Sequence, residues 1–278
     1  MITELRKKFL SRMIECGLLA IDAQGVASIA DSSSKASRQI AARFLQNIGS
    51  ETAGTRMAGQ TSGRSLEDFV RIFLEEPFPR LSVVRCGNFH VSAGGDISKY
   101  DQYSHLTEVE RAVQRDPALK IALGRDYIIK PDVVIYRSPV SNEDINALFK
   151  IVDDEHARLT PLRSTNGSLP TLHASISCKW TIRSDRVQNA RSEALNLIRN
   201  RKGKLPHISV VTAEPMASRL ASIALGTGDI DCVYHVALTE LRDAIDEVGS
   251  EDARELIQVM IEGRRLRDIS DLPFDLAT

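Results

Sequence analysis

The order of apolar and amphipathic segments beyond residue 125 is the strongest constraint on this chain. Short, strand-like apolar runs occur at 127–137 (YIIKPDVVIYR), 172–180 (LHASISCKW), 207–213 (HISVVTA) and 232–238 (CVYHVAL). Helical patterns at 187–201 and 216–225 separate the last three. Strands interleaved with helices build a mixed or parallel sheet with helices packed on it, so the expected class is α/β, a central mixed sheet flanked by helices. A further run at 81–91 (LSVVRCGNFHV), bent at Gly87, reads as another strand. The first 80 residues read as helical, with segments at 4–19, 36–48 and 65–76. Serines stand ready to cap the second, and small-residue loops at 30–37 and 53–63 lie between them. Helices at 239–248 and 251–266 close the chain, and residues 138–170 read as a polar surface excursion. A single domain is expected over 1–278: a mainly helical part (1–80), an α/β core (81–240) and C-terminal helices.

Composition narrows the classes. Hydrophobic residues make up 42% of the chain, enough for a substantial core. No apolar run approaches the roughly 20 residues that cross a bilayer. Arg12, Glu15 and Asp22 interrupt the N-terminal segment, which excludes a signal peptide and makes a cytoplasmic protein the expectation. Cys16, Cys86, Cys178 and Cys232 are far apart, against a disulfide framework or a zinc site. The net charge of −1 hides a segregation: residues 183–204 carry seven Lys or Arg against Asp185 and Glu193, a local +5.

Two charges sit in the strand pattern. Asp132 follows Pro131 in one apolar strand, and Lys179 ends another. Each carries a desolvation cost and needs a partner. A structural ion pair, or solvent exposure at the strand ends, accounts for both. Glu193 lies on the following helix, where Arg186, Ala190, Glu193 and Leu197 share a face, with Arg186 and Glu193 about 10 Å apart along the axis. Glu67, on an earlier helix, is a further acid. Carboxylates with a lysine are what Mg²⁺-dependent phosphodiester cleavage uses. The hard cation takes a few carboxylates and water, and the lysine orients the attacking water or offsets charge on the phosphate. Ser177 and Lys179 also admit a serine–lysine hydrolase.

The stretch Arg183, Ser184, Asp185, Arg186 opens that helix. Arginine donates two parallel hydrogen bonds to guanine, and aspartate accepts from cytosine N4. A helix N-terminus is the end that enters the major groove. A plain turn with Asp185 as the cap is the alternative. These residues equally suit a sequence-specific DNA-binding protein without cleavage. A nuclease would stop with EDTA, whereas a repressor would bind and never cut.

Residues 171–236, with SISCKWTIRSDRVQNARSEALNLIRNRKGKLPHISVVTAEP and SIALGTGDIDCVYH, resemble the NgoMIV group of type II restriction endonucleases, as does RDISDLPFDLA at the end. These are tetrameric enzymes that recognise sites with a CCGG core. GQTSG, YSHL and ALGRDY extend the likeness over nearly the whole chain. The group's spacing, P-D, 46 residues, K, 13 residues, E, is met by Pro131, Asp132, Lys179 and Glu193. The resemblance implies a restriction-endonuclease-like PD-(D/E)xK fold. In the wider superfamily an acid stands two residues before the lysine; here Ser177 does, and Glu193 is implied to replace it. Asp132, Glu193, Glu67 and the main-chain carbonyl of Cys178 would hold a pair of Mg²⁺ ions. Arg183 and Arg186 would read the guanines of CCGG and Asp185 the cytosines. Asp31, Ser33 and Arg219, with Gln60 from the minor groove, would read the outer G·C pair. The implied activity is cleavage of double-stranded GCCGGC after the first G, leaving 5′-CCGG overhangs. A homotetramer (a dimer of dimers) and a cognate DNA methyltransferase in the same restriction–modification system are implied with it.

Overall fold

In the computed structural model, which describes residues 1–49, 59–123, 129–226 and 228–278 (the side chains of 59–61, 123 and 184 excepted), six strands form one mixed sheet. They are β1 (Phe89–Ala93), β2 (Val133–Arg137), β3 (Thr171–Lys179), β4 (His207–Thr212), β5 (Cys232–His235) and β6 (Leu266–Asp268), side by side in chain order. β1, β2 and β3 run antiparallel, and β3 to β6 run parallel. The carboxyl ends of β3–β6 and the amino end of β2 therefore share one edge of the sheet, where ligand sites of such sheets gather. Helix Ser184–Asn200 connects β3 to β4, helix Ala217–Ala224 connects β4 to β5, and helices Leu238–Val248 and Glu251–Glu262 connect β5 to β6. The expected mixed sheet with flanking helices is what the chain forms.

Burial follows the strand pattern. Val133, Val134 and Ile135 of β2 are consecutive and all buried, the mark of a strand covered on both faces. Three N-terminal helices supply part of that cover: α1 (Ile2–Glu15), α2 (Lys35–Asn47) and α3 (Gly59–Glu75). α3 lies across β1, β2 and β3, burying Leu66, Val70, Phe73 and Leu74 at helical spacing. α1 meets it through Phe9 and Phe73, ring centroids 5.3 Å apart. α2 begins as its serines suggest, with Ser34 accepting from the Ser37 amide.

Several expectations need correction. Residues 59–63 of the expected second loop begin α3, and residues 50–58 lie outside the described residues. The run at 81–91 is not one strand: Leu81–Val83 form a 3₁₀ turn, Gly87 breaks the chain at φ 141°, and pairing starts only at Phe89. Val83 and Val84 stay exposed because no strand partner reaches them. The helix expected at 251–266 ends at Glu262, Leu266–Asp268 adds β6, a strand too short to show alternation in sequence, and a short helix, Leu272–Asp275, follows it. Helices Leu106–Arg115 and Pro117–Leu123 were not anticipated. The start of the run at 127–137 lies partly outside the described residues. The excursion at 138–170 contains a short helix, Asn142–Ile145, and is pinned by buried Arg163, which donates to the carbonyls of Asp153, His156 and Ala157. Its Leu148, Phe149, Ile151 and Leu159 are exposed. Among the described residues no helix is long and apolar enough to cross a membrane.

One close approach fixes the start of β2. The Gly94 amide donates to Asp132 O at 2.9 Å, and a Cβ on Gly94 would fall 1.4 Å from the Pro131 carbonyl oxygen. Gly94→Ala must therefore push the Pro131–Asp132 backbone aside, at a cost of roughly 1–3 kcal/mol or more. A lowered Tm in thermal unfolding is the expected outcome; an unchanged Tm would show that the approach is not a constraint.

Candidate functional site

The sheet register assembles the first cluster. Asp132 stands one residue before β2, not within it. Val133 lies opposite Ile176 in the antiparallel pair, so Asp132 falls level with Ser177 and Cys178. Its Oδ2 accepts from the Cys178 amide at 2.7 Å and from Lys179 Nζ at 3.3 Å. Strand alternation puts Ser177 and Lys179 on one face and the Cys178 side chain on the other, where it is buried. Ser177 Oγ lies between two acids, 3.4 Å from Asp132 Oδ2 and 3.4 Å from Glu193 Oε2. Glu193 reaches this point because Val187, Ala190, Ala194 and Leu197 bury one face of helix Ser184–Asn200. Glu67, Lys179, Arg186 and Glu193 border one open cavity of about 360 Å³, with Cys178, Arg64, Trp180 and Asn189. The shared face expected for Arg186 and Glu193 is thus formed.

The electrostatics of the cavity are those of crowded acids. Burial raises the Glu193 carboxyl above its ordinary range; Lys179 and Ser177 offset this, and the Asp132 charge adds to it. Glu67 is raised by burial and then by Asp132, against Lys179. Beyond the effect of burial, Asp132 raises both Glu67 and Glu193, a repulsion among carboxylates that a cation relieves, while Lys179, Arg64 and Arg186 supply positive charge around the same cavity. The Lys179–Asp132 pair retains contact with water, with side chains 17% and 21% exposed. Among the described residues no three His, Cys, Asp or Glu side chains converge as a metal-holding group. Oxygen donors bordering an open cavity suit a hard cation that keeps several waters, as Mg²⁺ does. Ser177 and Lys179 both face acids, which gives no support to a serine–lysine pair.

A second cleft, about 810 Å³, opens on the other side of the same helix start. Asp31, Ser33, Arg183 and Arg219 all border it, with Gln188 and Arg191. Arg219 Nη2 pairs with Asp31 Oδ2 across a sequence separation of 188. Ser33 donates to Asp31 Oδ1 from its hydroxyl at 2.6 Å and its amide at 3.1 Å. The Ser33 hydroxyl and then Arg219 hold the Asp31 carboxyl well below the usual carboxylate range. Arg183 is the N-cap residue of the helix, and its side chain makes no capping hydrogen bond. Asp185 is helical and exposed, so the capping alternative for it is not realised. Arg186 Nη1 donates to Thr181 O at 2.9 Å and to Thr181 Oγ1 at 3.2 Å. The side chain of Gln60 lies outside the described residues.

Two charged residues of this region escaped the sequence reading. Glu214 is fully buried and accepts from the amides of Ile182 (2.7 Å) and Met216 (3.0 Å). Burial pushes its carboxyl up to about 7. Arg191 pairs with Asp229 at 2.9 Å and donates to Ser222 O at 3.1 Å. An acid directly after the apolar run HISVVTA is the same signal that marked Asp132; its partners are backbone amides, which sequence does not display.

The chain matches the family described as NgoMIV restriction enzyme over residues 9–278. It is 48% identical over 282 residues to the type II restriction enzyme NgoMIV of Neisseria gonorrhoeae, an alignment covering 100% of this chain and 99% of that protein. Among solved structures, a complex of restriction endonuclease PspGI with substrate DNA aligns with 99% of this chain and 91% of that chain, at 13% identity and a TM-score of 0.26, too distant to carry weight.

The geometry also separates the thiols. Cys16 and Cys86 are exposed, whereas Cys178 and Cys232 are buried and burial raises both thiols. Alkylation of the native protein, read by peptide mass spectrometry, is expected to label Cys16 and Cys86 and to spare the other two. Rapid labelling of Cys178 would contradict the packing of β3.

Proposed function

The chain belongs to the NgoMIV restriction-enzyme family and is a type II restriction endonuclease, a site-specific deoxyribonuclease; from that premise we propose that it cuts double-stranded DNA at GCCGGC, after the first G, leaving 5′-CCGG overhangs. What carries this reading is one juxtaposition. Lys179, Arg183, Arg186 and Glu193 all come from a single strand–helix unit, whose lysine meets Asp132 at the amino end of the neighbouring β2. A purely DNA-binding role is set aside by the family assignment.

Type II restriction enzymes generally use divalent metal ions, and Mg²⁺, two ions per site, is the cofactor proposed. Asp132, Glu193, Glu67 and the main-chain carbonyl of Cys178 are the groups that would hold it. When bound, it supplies Lewis-acid polarisation of the phosphate and a lowered pKa for the attacking water. The Cys178 amide fixes the Asp132 carboxylate. Lys179 holds its ammonium beside that carboxylate, where it offsets charge developing on the phosphate oxygens. Ser177, where the superfamily has an acid, spaces Asp132 from Glu193. The products are 5′-phosphate and 3′-hydroxyl ends.

Arg183 and Arg186 are assigned to the two guanines of CCGG, and Asp185 to cytosine N4. Arg219 and Asp31, supported by Ser33, present a donor fork beside an acceptor, the complement of a G·C edge in the major groove. Gln60 is assigned to the same outer pair from the minor groove. The whole chain, 1–278, acts as one endonuclease domain. A palindrome calls for a two-fold dimer, and the exposed Leu148, Phe149, Ile151 and Leu159 support further association of copies into a homotetramer. The enzyme acts in the cytoplasm beside a cognate DNA methyltransferase that protects host sites.

The test is incubation of purified protein with sequenced plasmid DNA and Mg²⁺, followed by sequencing of fragment ends. Ends at GCCGGC after the first G, abolished by EDTA, are expected; ends at unrelated sequences would overturn the reading. Asp132→Ala and Lys179→Ala should abolish cleavage while duplex binding, measured by gel shift, remains. Arg186→Ala should lose roughly 1–3 kcal/mol of discrimination for CCGG, one bidentate contact, in competition binding.

A further inference from the structure

The arginines proposed to read the inner and outer base pairs stand on two different helices, so the spacing between those helices decides the register of their reading. Arg183, Asp185 and Arg186 stand at the start of helix Ser184–Asn200, and Arg219 stands on helix Ala217–Ala224. Glu214 joins the two starts. Its Oε2 accepts from the amide of Ile182, the residue before Arg183, at 2.7 Å. Its Oε1 accepts from the amide of Met216, the N-cap residue of the second helix, at 3.0 Å, and lies 3.9 Å from Arg219 Nη1. The far end of the second helix is tied back as well, where Arg191 of the first helix donates to Ser222 O and is neutralised by Asp229. A fully buried carboxylate is costly to desolvate. Here it supplies what a neutral side chain does not, an acceptor oxygen for each amide together with a negative charge facing Arg219.

We propose that Glu214 is a positioning residue for sequence discrimination, locking the Ile182–Arg183 corner to the Met216–Arg219 turn so that inner-pair and outer-pair readers meet neighbouring base pairs in register. This rests on the base contacts proposed above for Arg183, Arg186 and Arg219. Loss of the bridge frees Arg219 to swing relative to Arg183, so the outer pair is the position at which discrimination falls. A role confined to stability would lower the Tm and slow cleavage of every duplex alike, leaving the ratio between duplexes unchanged.

The experiment compares cleavage rates on three duplexes, one carrying GCCGGC, one altered only at the outer pair and one altered only at the central pair, for the wild type and for Glu214→Gln. Glu214→Gln is expected to reduce the preference over the outer-altered duplex by roughly tenfold, one lost contact, and the preference over the centrally altered duplex by less. The wild type gives a second reading that needs no variant. Burial pushes Glu214 up to about 7, and Arg219 and Asp31 are the charged groups facing it. As pH falls from about 8 to about 6 the carboxylate gains its proton and loses its charge, so the outer-pair preference should fall in the same direction. An unchanged outer-pair preference in Glu214→Gln overturns the proposal. Should that variant fail to fold, a wild-type preference that is flat over this pH range overturns it. A wild type that shows no preference for GCCGGC overturns instead the base-reading assignment beneath it, an outcome visible before any variant is made.

Discussion

The bond from the Cys178 amide to the Asp132 carboxylate, with Lys179 on the same oxygen, is the point on which the rest of this structure turns. It joins the amino end of β2 to the carboxyl end of β3, two ends brought to one edge only because the strands are antiparallel. Ser177 and Lys179 face the acids because they share a strand face, and the helix that follows returns Glu193 to the same place. A one-residue slip of β2 against β3 would turn Asp132 away from the face that carries Ser177 and Lys179. The close approach of Gly94 to the Pro131–Asp132 backbone opposes that slip.

The same corner brings the acid–lysine cluster and the arginines of the helix start together. β3 ends at Lys179, and four residues later Arg183 occupies the N-cap position of the helix that carries Arg186 on its first turn. Arg186 borders the acid–lysine cavity while Arg183 borders the larger cleft beside Arg219 and Asp31. One helix start thus divides its side chains between two sites. Rigidity at this corner comes from β4, whose end is linked to it through Glu214 and through the Ala213 amide bonded to Trp180 O.

Much of this was legible in the sequence, for physical reasons that differ by residue. Asp132 and Lys179 stood out because charge in an apolar strand demands a partner, and Glu193 with Arg186 because helical periodicity fixes a face. The match to P-D, K and E spacing then tied them together. The pairing of Asp31 with Arg219 spans most of the chain, and no local rule of propensity reaches that far. Glu214 was invisible as a bridge because its partners are main-chain amides, which every residue carries. β6 is three residues long, and the break at Gly87 lies inside an apolar run that reads as continuous. Asp185 is the second residue of the helix because Arg183 takes the N-cap position, a boundary that sequence alone leaves open.

A crystal structure of the chain bound to a GCCGGC duplex, with Ca²⁺ in place of Mg²⁺, addresses the shared corner most directly. Cation density within roughly 2.3–2.6 Å of the Asp132 carboxylate is expected. It should lie beside the scissile phosphate, with Arg183 and Arg186 on guanine edges of the same half-site. A cation bound away from Asp132, or both arginines confined to backbone phosphates, would contradict the idea that one strand–helix corner serves both cleavage and recognition.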